Sequence, residues 1–217
     1  MGNRRTIGAI SLALALAFIS MPLLGAVVAE EKAQWPMSYY DQGNTNRCPY
    51  DAAGNDGELL WSRNFNDERI GKPVIGTDGT LYVTSSGGGL IAISPDGDEK
   101  WKFSGPSDVM EYSYEPVPAA IGKGGCIFFG TGSEHYDFYP NGSIYAVWPN
   151  GTLRWSDHLG APVLTAPLID EQGNILIVTS EWIDAYNLGF SELRCYDEEG
   201  GIEWSFSPPS ANGSVFS

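Results

Sequence analysis

A glycine followed four positions later by a tryptophan occurs four times in this chain, and this repeat constrains the fold more than any other feature. The pairs are Gly57/Trp61, Gly97/Trp101, Gly151/Trp155 and Gly200/Trp204. Their tryptophans stand 40, 54 and 49 residues apart. Self-similarity at such a period is typical of an array of like structural units.

Two further markers precede the last three pairs, and both indicate β-strands. The first is an apolar pair, a glycine turn and a β-branched or aromatic run, in segments 73–85, 119–131 and 167–179. The second is a short apolar strand at 90–94, 144–148 and 193–197. Turn sequences such as TDGT and PNGT place Asp, Asn or Gly where tight hairpins need positive φ. Each repeat therefore predicts four antiparallel strands, the size of a propeller blade.

Within each repeat, the glycine is predicted to close the turn between the third and fourth strands. The tryptophan is predicted to project from the fourth strand toward the neighbouring blade, where burial of an aromatic contributes about 1.5–3 kcal/mol. Cys195 falls at the position that Ala92 and Ala146 hold in their repeats. We therefore interpret Cys195 as a small buried residue.

The repeat in segment 73–103, PVIGTDGTLYVTSSGGGLIAISPDGDEKWKF, resembles that of the pyrroloquinoline-quinone-type (PQQ-like) β-propeller family. The lead-in at 35–50 resembles the segment that such proteins carry before their first blade, and the resemblance covers essentially all of residues 35–217. It implies an all-β propeller of four-stranded antiparallel blades. The family includes quinone-dependent dehydrogenases, outer-membrane assembly factors and exported proteins of unknown role, so the resemblance alone does not fix an activity.

The array is short for the family that it resembles, whose propellers usually close with about seven or eight blades. Three full repeats are predicted, at 71–103, 114–159 and 164–207, with partial ends before and after them. We expect an incomplete or open propeller, either a fragment or an arc; the alternatives are a small ring closed by both ends and an array completed between chains. An open arc leaves edge strands that favour self-association.

The N-terminal residues carry the pattern of a secretory signal. Arg4 and Arg5 precede an apolar run at 7–29, which ends in the small residues Val27 and Ala29. We therefore divide the chain into a signal peptide at 1–29, a lead-in with a partial blade at 30–70, and propeller repeats at 71–217. The expected location is secreted or extracytoplasmic, in the periplasm or at the cell surface. An uncleaved membrane anchor is the alternative.

Charge excludes two classes of partner. The chain has 12 Lys and Arg against 27 Asp and Glu, a formal net charge of −15. Nucleic-acid affinity comes largely from basic residues that neutralise phosphates, and anionic membranes likewise attract basic segments. We expect neither partner once the signal is removed.

The sequence offers little for catalysis. A dehydrogenase of the resembled family would imply bound PQQ, a calcium ion and an adjacent cysteine pair, but Cys48, Cys126 and Cys195 are far apart. His135 lies near Glu134 and Asp137, and this set is either an acid–base or ligand group or an ordinary polar loop. We expect no cofactor, no metal and no catalytic residue, with a fragment of a PQQ-dependent dehydrogenase as the alternative.

The leading hypothesis is an exported, non-enzymatic binding or scaffold module that contacts a protein or carbohydrate. The alternatives that the resemblance implies are a fragment of a PQQ-dependent dehydrogenase and a propeller-type outer-membrane protein assembly factor. Its working surface would be the long loops predicted at 104–117, 130–143 and 178–192, because repeat scaffolds place functional insertions on one face. These loops carry an aromatic set suited to binding: Tyr112, Tyr114, Tyr136, Phe138, Tyr139, Trp182 and Tyr186. Asn141 and Asn150 are formal glycosylation acceptors.

Overall fold

The computed structural model describes residues 33–41, 45, 47, 54, 56–66, 68–105, 116–132, 142–180 and 191–207. All of these residues fall within the unit Glu31–Ser217. The predicted signal peptide at 1–29, and with it the proposed domain boundary, lies outside the described residues.

Twelve strands, in three sheets, form nearly all of the regular structure that is described. They are β1 (Val74–Ile75), β2 (Leu81–Thr84), β3 (Gly89–Ile93), β4 (Glu99–Ser104), β5 (Ala120–Ile121), β6 (Ile127–Gly130), β7 (Ser143–Val147), β8 (Leu153–His158), β9 (Leu168–Ile169), β10 (Ile175–Ser180), β11 (Ser191–Tyr196) and β12 (Ile202–Phe206). Each group of four pairs antiparallel in chain order. The predicted all-β fold of four-stranded blades is confirmed, and we name the sheets blade 1, blade 2 and blade 3.

A glycine at positive φ and two backbone hydrogen bonds form the turn between the third and fourth strand of each blade. In blade 1, the Gly97 N–H donates to the Ser94 carbonyl at 3.0 Å, and the Ser94 N–H donates to the Asp98 carbonyl at 2.8 Å. Gly97 has φ of +90°, a conformation that L side chains rarely adopt. The same two bonds recur at 148–152 and 197–201.

The hydrophobic core lies between the blades rather than inside any one of them. All five residues of β7 are buried. Because side chains alternate along a strand, Tyr145 and Val147 pack with blade 1 while Ile144 and Ala146 pack with blade 3. A strand that is buried on both faces needs an apolar run, and residues 144–147 of β7 provide it.

The start of the lead-in is hydrogen-bonded to the first strands of blades 1 and 2. Trp35 exchanges backbone hydrogen bonds with Ile75 at 2.8 and 3.0 Å, and the Ile121 N–H donates to the Pro36 carbonyl at 2.7 Å. This contact covers the edges of β1 and β5. The partial blade predicted at 30–70 has no strand near Trp61, because segment 56–65 joins no ladder within the described residues.

The long loops differ from their predicted bounds by one to three residues. β4 extends to Ser104, and β6 and β7 include Gly130 and Ser143. The ladder of β10 and β11 continues through the pairs Thr179↔Glu192 and Ser180↔Ser191. The connections are therefore 105–119, 131–142 and 181–190. At the strand ends named above, backbone pairing persists beyond the last apolar residue.

Candidate functional site

Strand order places two kinds of connection at opposite ends of the blades. In a four-stranded antiparallel sheet, the hairpin between strands two and three lies at the same end as the link to the next sheet. The connections 105–119, 131–142 and 181–190 therefore all leave from one end, which we call the loop end. The glycine turns between strands one and two, and between strands three and four, lie at the opposite end, which we call the turn end.

The seven candidate binding aromatics lie outside the described residues, as do Asn141 and the group around His135. Their roles stay predictions. Asn150 is described, and it lies on an exposed turn at the turn end. Its side-chain oxygen accepts hydrogen bonds from the Thr152 N–H at 3.0 Å and the Thr152 hydroxyl at 2.7 Å. Glycosylation at this position is likewise untested.

The two strands that lead into connection 131–142 are joined by buried polar contacts. The Ser143 N–H donates to the Thr131 hydroxyl at 3.2 Å, and that hydroxyl lies 3.3 Å from the Ser143 carbonyl. The Ser143 hydroxyl is also 3.3 Å from Nδ1 of His158. The sequence showed no partner for His158, since the pairing depends on the register of β7 and β8. These contacts fix the point at which the loop leaves the blade.

A cluster of charged side chains lies near the start of β11, where blades 2 and 3 contact each other. The Arg194 guanidinium contacts Glu192 at 2.5 Å and Asp157 at 3.3 Å, and the Tyr196 hydroxyl donates to Asp157 at 2.8 Å. Burial, with the Asp157 carboxylate beside it, raises the pKa of Tyr196 above its ordinary value. Asp157 belongs to β8 and Arg194 to β11, so the cluster joins the two blades. Sequence reasoning missed it because β8 and β11 are not neighbours in a sheet.

At the turn end, each tryptophan contacts the glycine of the next repeat rather than its own. The indole Nε1–H of Trp101 donates to the Pro149 carbonyl at 2.9 Å, and that of Trp155 donates to the Glu198 carbonyl at 2.8 Å. A Cβ added at Gly151 would lie 2.8 Å from the Trp101 ring, and one at Gly200 would lie 2.7 Å from the Trp155 ring. Only glycine lets the indole approach so closely.

The same contact joins the lead-in to blade 1. The Nε1–H of Trp61 donates to the Pro95 carbonyl at 2.8 Å, and a Cβ at Gly97 would lie 2.7 Å from its ring. Trp61 and Phe65 also pack against the buried strand residues of blade 1. We call this indole-on-glycine contact the tryptophan dock. Trp204 of the last pair is 45% exposed.

Cys126 and Cys195 are free and buried, and burial raises the pKa of both thiols. A raised pKa makes a thiol a poor nucleophile. Cys195 pairs across the sheet with Trp204, as Ala92 pairs with Trp101, which agrees with its interpretation as a small packing residue. Cys48 lies outside the described residues.

The described residues include no group of three or more His, Cys, Asp or Glu side chains arranged to hold a metal ion. The described residues contain no helix with enough apolar length to span a membrane. The sequence has no adjacent cysteines, and the absence of a cofactor stays a prediction.

Comparison with known proteins identifies a family. The profile described as outer membrane protein assembly factor BamB matches residues 49–162, more than half of the chain. Among solved structures, BamB from Moraxella catarrhalis is 20% identical with a TM-score of 0.47, over 69% of this chain and 40% of its own. A protein of unknown function from Bacteroides caccae is 14% identical with a TM-score of 0.42, over 82% of this chain and 56% of its own. No curated protein sequence matches the chain.

Proposed function

The chain belongs to the family described as outer membrane protein assembly factor BamB, and from this premise we propose that it is an exported, non-enzymatic propeller module that binds a protein partner. Its working surface is the loop end, and its location is extracytoplasmic. Because the chain spans 40% and 56% of the two solved structures, this function is proposed for the part of the array that the sequence contains.

The observation that carries the proposal is the position of the three long connections at one end of the blades. At the turn end, the connections between strands three and four are five residues long, at 94–98, 148–152 and 197–201. Each of them holds a tryptophan dock, so variable sequence is accommodated at the loop end. Polar contacts hold the ends of two of the three long connections, at Thr131 with Ser143 and at Arg194 with Asp157. A loop whose ends are held in place loses less conformational entropy when it binds a partner.

The family description favours a protein over a carbohydrate as the partner, and it makes an assembly factor the specific form of the proposal. Aromatic side chains such as Tyr136, Phe138 and Trp182 are the residue types that dominate protein interfaces. A fragment of a PQQ-dependent dehydrogenase is the other candidate from the resemblance, and no contact among the described residues favours it. We assign no cofactor and no catalytic residue.

Site-specific photo-cross-linking in intact cells tests the proposal. A photoreactive residue at position 138, within connection 131–142, should give a discrete adduct with one envelope protein. The matched control is position 148 at the turn end, where Trp148 is 37% exposed, and it should give no such adduct. Mass spectrometry of the recovered chain should find an N-terminus at Glu30 if the signal is cleaved as predicted.

Affinity measurements with the cross-linked partner then test the aromatic residues. Replacing Tyr136, Phe138 and Tyr139 together by alanine should abolish binding, while Trp148→Ala should bind as the wild type does. Far-UV circular dichroism checks that both variants keep their strands. Undiminished binding by the triple variant, or equal adducts from positions 138 and 148, would exclude the loop end as the partner site.

A further inference from the structure

Trp148 is a tryptophan that the repeat does not account for. It belongs to none of the four glycine–tryptophan pairs, and it is 37% exposed at the turn end of blade 2. Blade 2 packs against both of the other blades, so this exposure is not that of a terminal blade. A single exposed aromatic is common on protein surfaces, and the evidence for a role therefore lies in the turn that carries it.

The first position of this turn holds a polar residue in blades 1 and 3. The Ser94 hydroxyl accepts a hydrogen bond from the Asp98 N–H at 3.2 Å. The Asp197 carboxylate accepts one from the Gly201 N–H at 2.7 Å. In both blades the side chain at the first position thus stabilises its own turn, and the indole of Trp148 has no oxygen with which to do so.

In blade 2, Asn150 stabilises the turn instead. Its Oδ1 atom accepts hydrogen bonds from the Thr152 N–H at 3.0 Å and the Thr152 hydroxyl at 2.7 Å. Both bonds go to the oxygen, so the amide nitrogen Nδ2 lies on the side of the carboxamide away from these donors. Residues 150–152 form the acceptor triplet Asn-X-Thr, and Asn150 is exposed. The nitrogen that can carry a sugar is therefore presented on an exposed turn.

We propose that Asn150 is N-glycosylated and that the first sugar of the glycan stacks on the indole of Trp148. In this modification, Nδ2 of Asn150 forms a bond with the anomeric carbon of a sugar that is carried on a lipid phosphate or diphosphate. The bond from that carbon to the phosphate oxygen breaks. The lipid phosphate leaves with the electron pair, and one Nδ2 proton passes to a base of the transferase. The inference rests on the extracytoplasmic location in the proposed function and not on the partner site at the loop end.

The position and the orientation of the indole suit a sugar on Asn150. Cα atoms two residues apart lie at most about 7 Å from one another, so a pyranose ring attached to Nδ2 reaches the side chain of Trp148. The Arg154 guanidinium lies over the indole, 4.6 Å from the ring centroid, and Glu199 of blade 3 holds that guanidinium at 3.0 Å. The indole is thus restrained in one orientation. Its electron-rich face attracts the C–H groups on the apolar side of a sugar.

The acceptor nitrogen and the aromatic residue occur together in one turn of the array. At the position of Asn150, blade 1 has Asp96 and blade 3 has Glu199, and a carboxylate offers no nitrogen for a sugar. The first position of these two turns is likewise not aromatic. A glycan on Asn150 explains why both differences are found in the same blade.

Mass spectrometry of the protein purified from the envelope of its source organism tests the modification. Trypsin releases the peptide 124–154, which contains both Asn141 and Asn150, so fragmentation by electron transfer, which leaves a glycan attached, identifies the modified residue. A mass increment of one or more sugars should be found on Asn150. Asn150→Asp should lack it, although the variant keeps a side-chain oxygen for the turn. Thr152→Ser should retain it, because the acceptor triplet is preserved.

Thermal unfolding tests the stacking on Trp148. The glycosylated protein should unfold about 2–4 °C above Asn150→Asp, and this difference should disappear when both proteins also carry Trp148→Ala. The matched control is Asp96→Asn combined with Asp98→Thr, which builds an acceptor triplet in the blade 1 turn with Ser94 at the first position. A glycan on that turn should leave the unfolding temperature unchanged.

A chain that begins at Glu30 and carries no sugar on Asn150 would overturn the site, because such a chain has been exported without being modified. A chain that keeps its signal and lacks the sugar would contradict the extracytoplasmic location as well, so the two failures are distinguished. A sugar that persists in Asn150→Asp would assign the modification to another residue. An equal rise in unfolding temperature with and without Trp148 would overturn the stacking.

Discussion

At the scale of single residues, Asp78 shows how one carboxylate fixes a turn and makes stability depend on pH. Its oxygens accept hydrogen bonds from the Thr80 N–H at 3.0 Å, the Thr80 hydroxyl at 2.7 Å and the Lys100 ammonium at 3.0 Å. Burial alone would raise its pKa, but these bonds outweigh burial and lower the pKa from 3.8 to about 2. The folded state therefore stabilises the charged form.

A carboxyl whose pKa is depressed on folding contributes stability above its unfolded value, and loses that contribution as pH falls toward the folded value. Asp78→Asn should therefore be less stable than the wild type at neutral pH, by about 1 kcal/mol or less because the side chain is half exposed and screened. The difference should shrink as pH falls from 3.8 to about 2. Urea unfolding across this range measures it, and a difference independent of pH would contradict the assignment.

At the scale of the element, the tryptophan dock requires a glycine for two reasons that substitution can separate. Gly151→Ala adds backbone strain at φ of +86° and a methyl group 2.8 Å from the Trp101 ring. Gly160→Ala adds comparable strain at φ of +64°, but its methyl group meets no described atom within 4 Å. We expect Gly160→Ala to cost about 1 kcal/mol and Gly151→Ala about 1–3 kcal/mol more, as overpacking does.

Chemical denaturation of both variants measures the difference, and Trp101 fluorescence reports whether the indole leaves its site. Equal destabilisation by the two substitutions would mean that the glycine serves backbone conformation alone. A red-shifted, quencher-accessible indole in Gly151→Ala, with Gly160→Ala unchanged, is the expected result.

The elements also show how far sequence reasoning reaches. The strand predicted at 90–94 is observed at 89–93. Ser94 is excluded because its N–H donates to the Asp98 carbonyl within the turn rather than to the neighbouring strand. Trp101 and Trp155 contact the next blade, on the side that alternation within a strand indicates. The target of each dock was not predictable, because which glycine lies under which indole depends on how two blades pack. The same reason hid the contact of Arg194 with Asp157.

At the scale of the whole molecule, placing the core between blades makes the cost of a substitution depend on which face it lies on. Phe128 is 1% exposed, lies between blades 2 and 3, and has its ring centroid 5.9 Å from that of Trp155. Phe206 lies in β12 of blade 3 and is 57% exposed. The two residues have the same side chain, so replacing each by alanine compares a covered face with an open one.

Phe128→Ala should lower the free energy of unfolding by about 3–5 kcal/mol through lost burial and the cavity that remains. Phe206→Ala should change the free energy of unfolding by about 0.5 kcal/mol or less. A loss of several kcal/mol can unfold a domain outright, so Phe128→Leu, expected to cost about 1.5 kcal/mol or less, keeps the comparison measurable. Equal costs at the two positions would contradict the assignment of a covered position to Phe128 and an exposed one to Phe206.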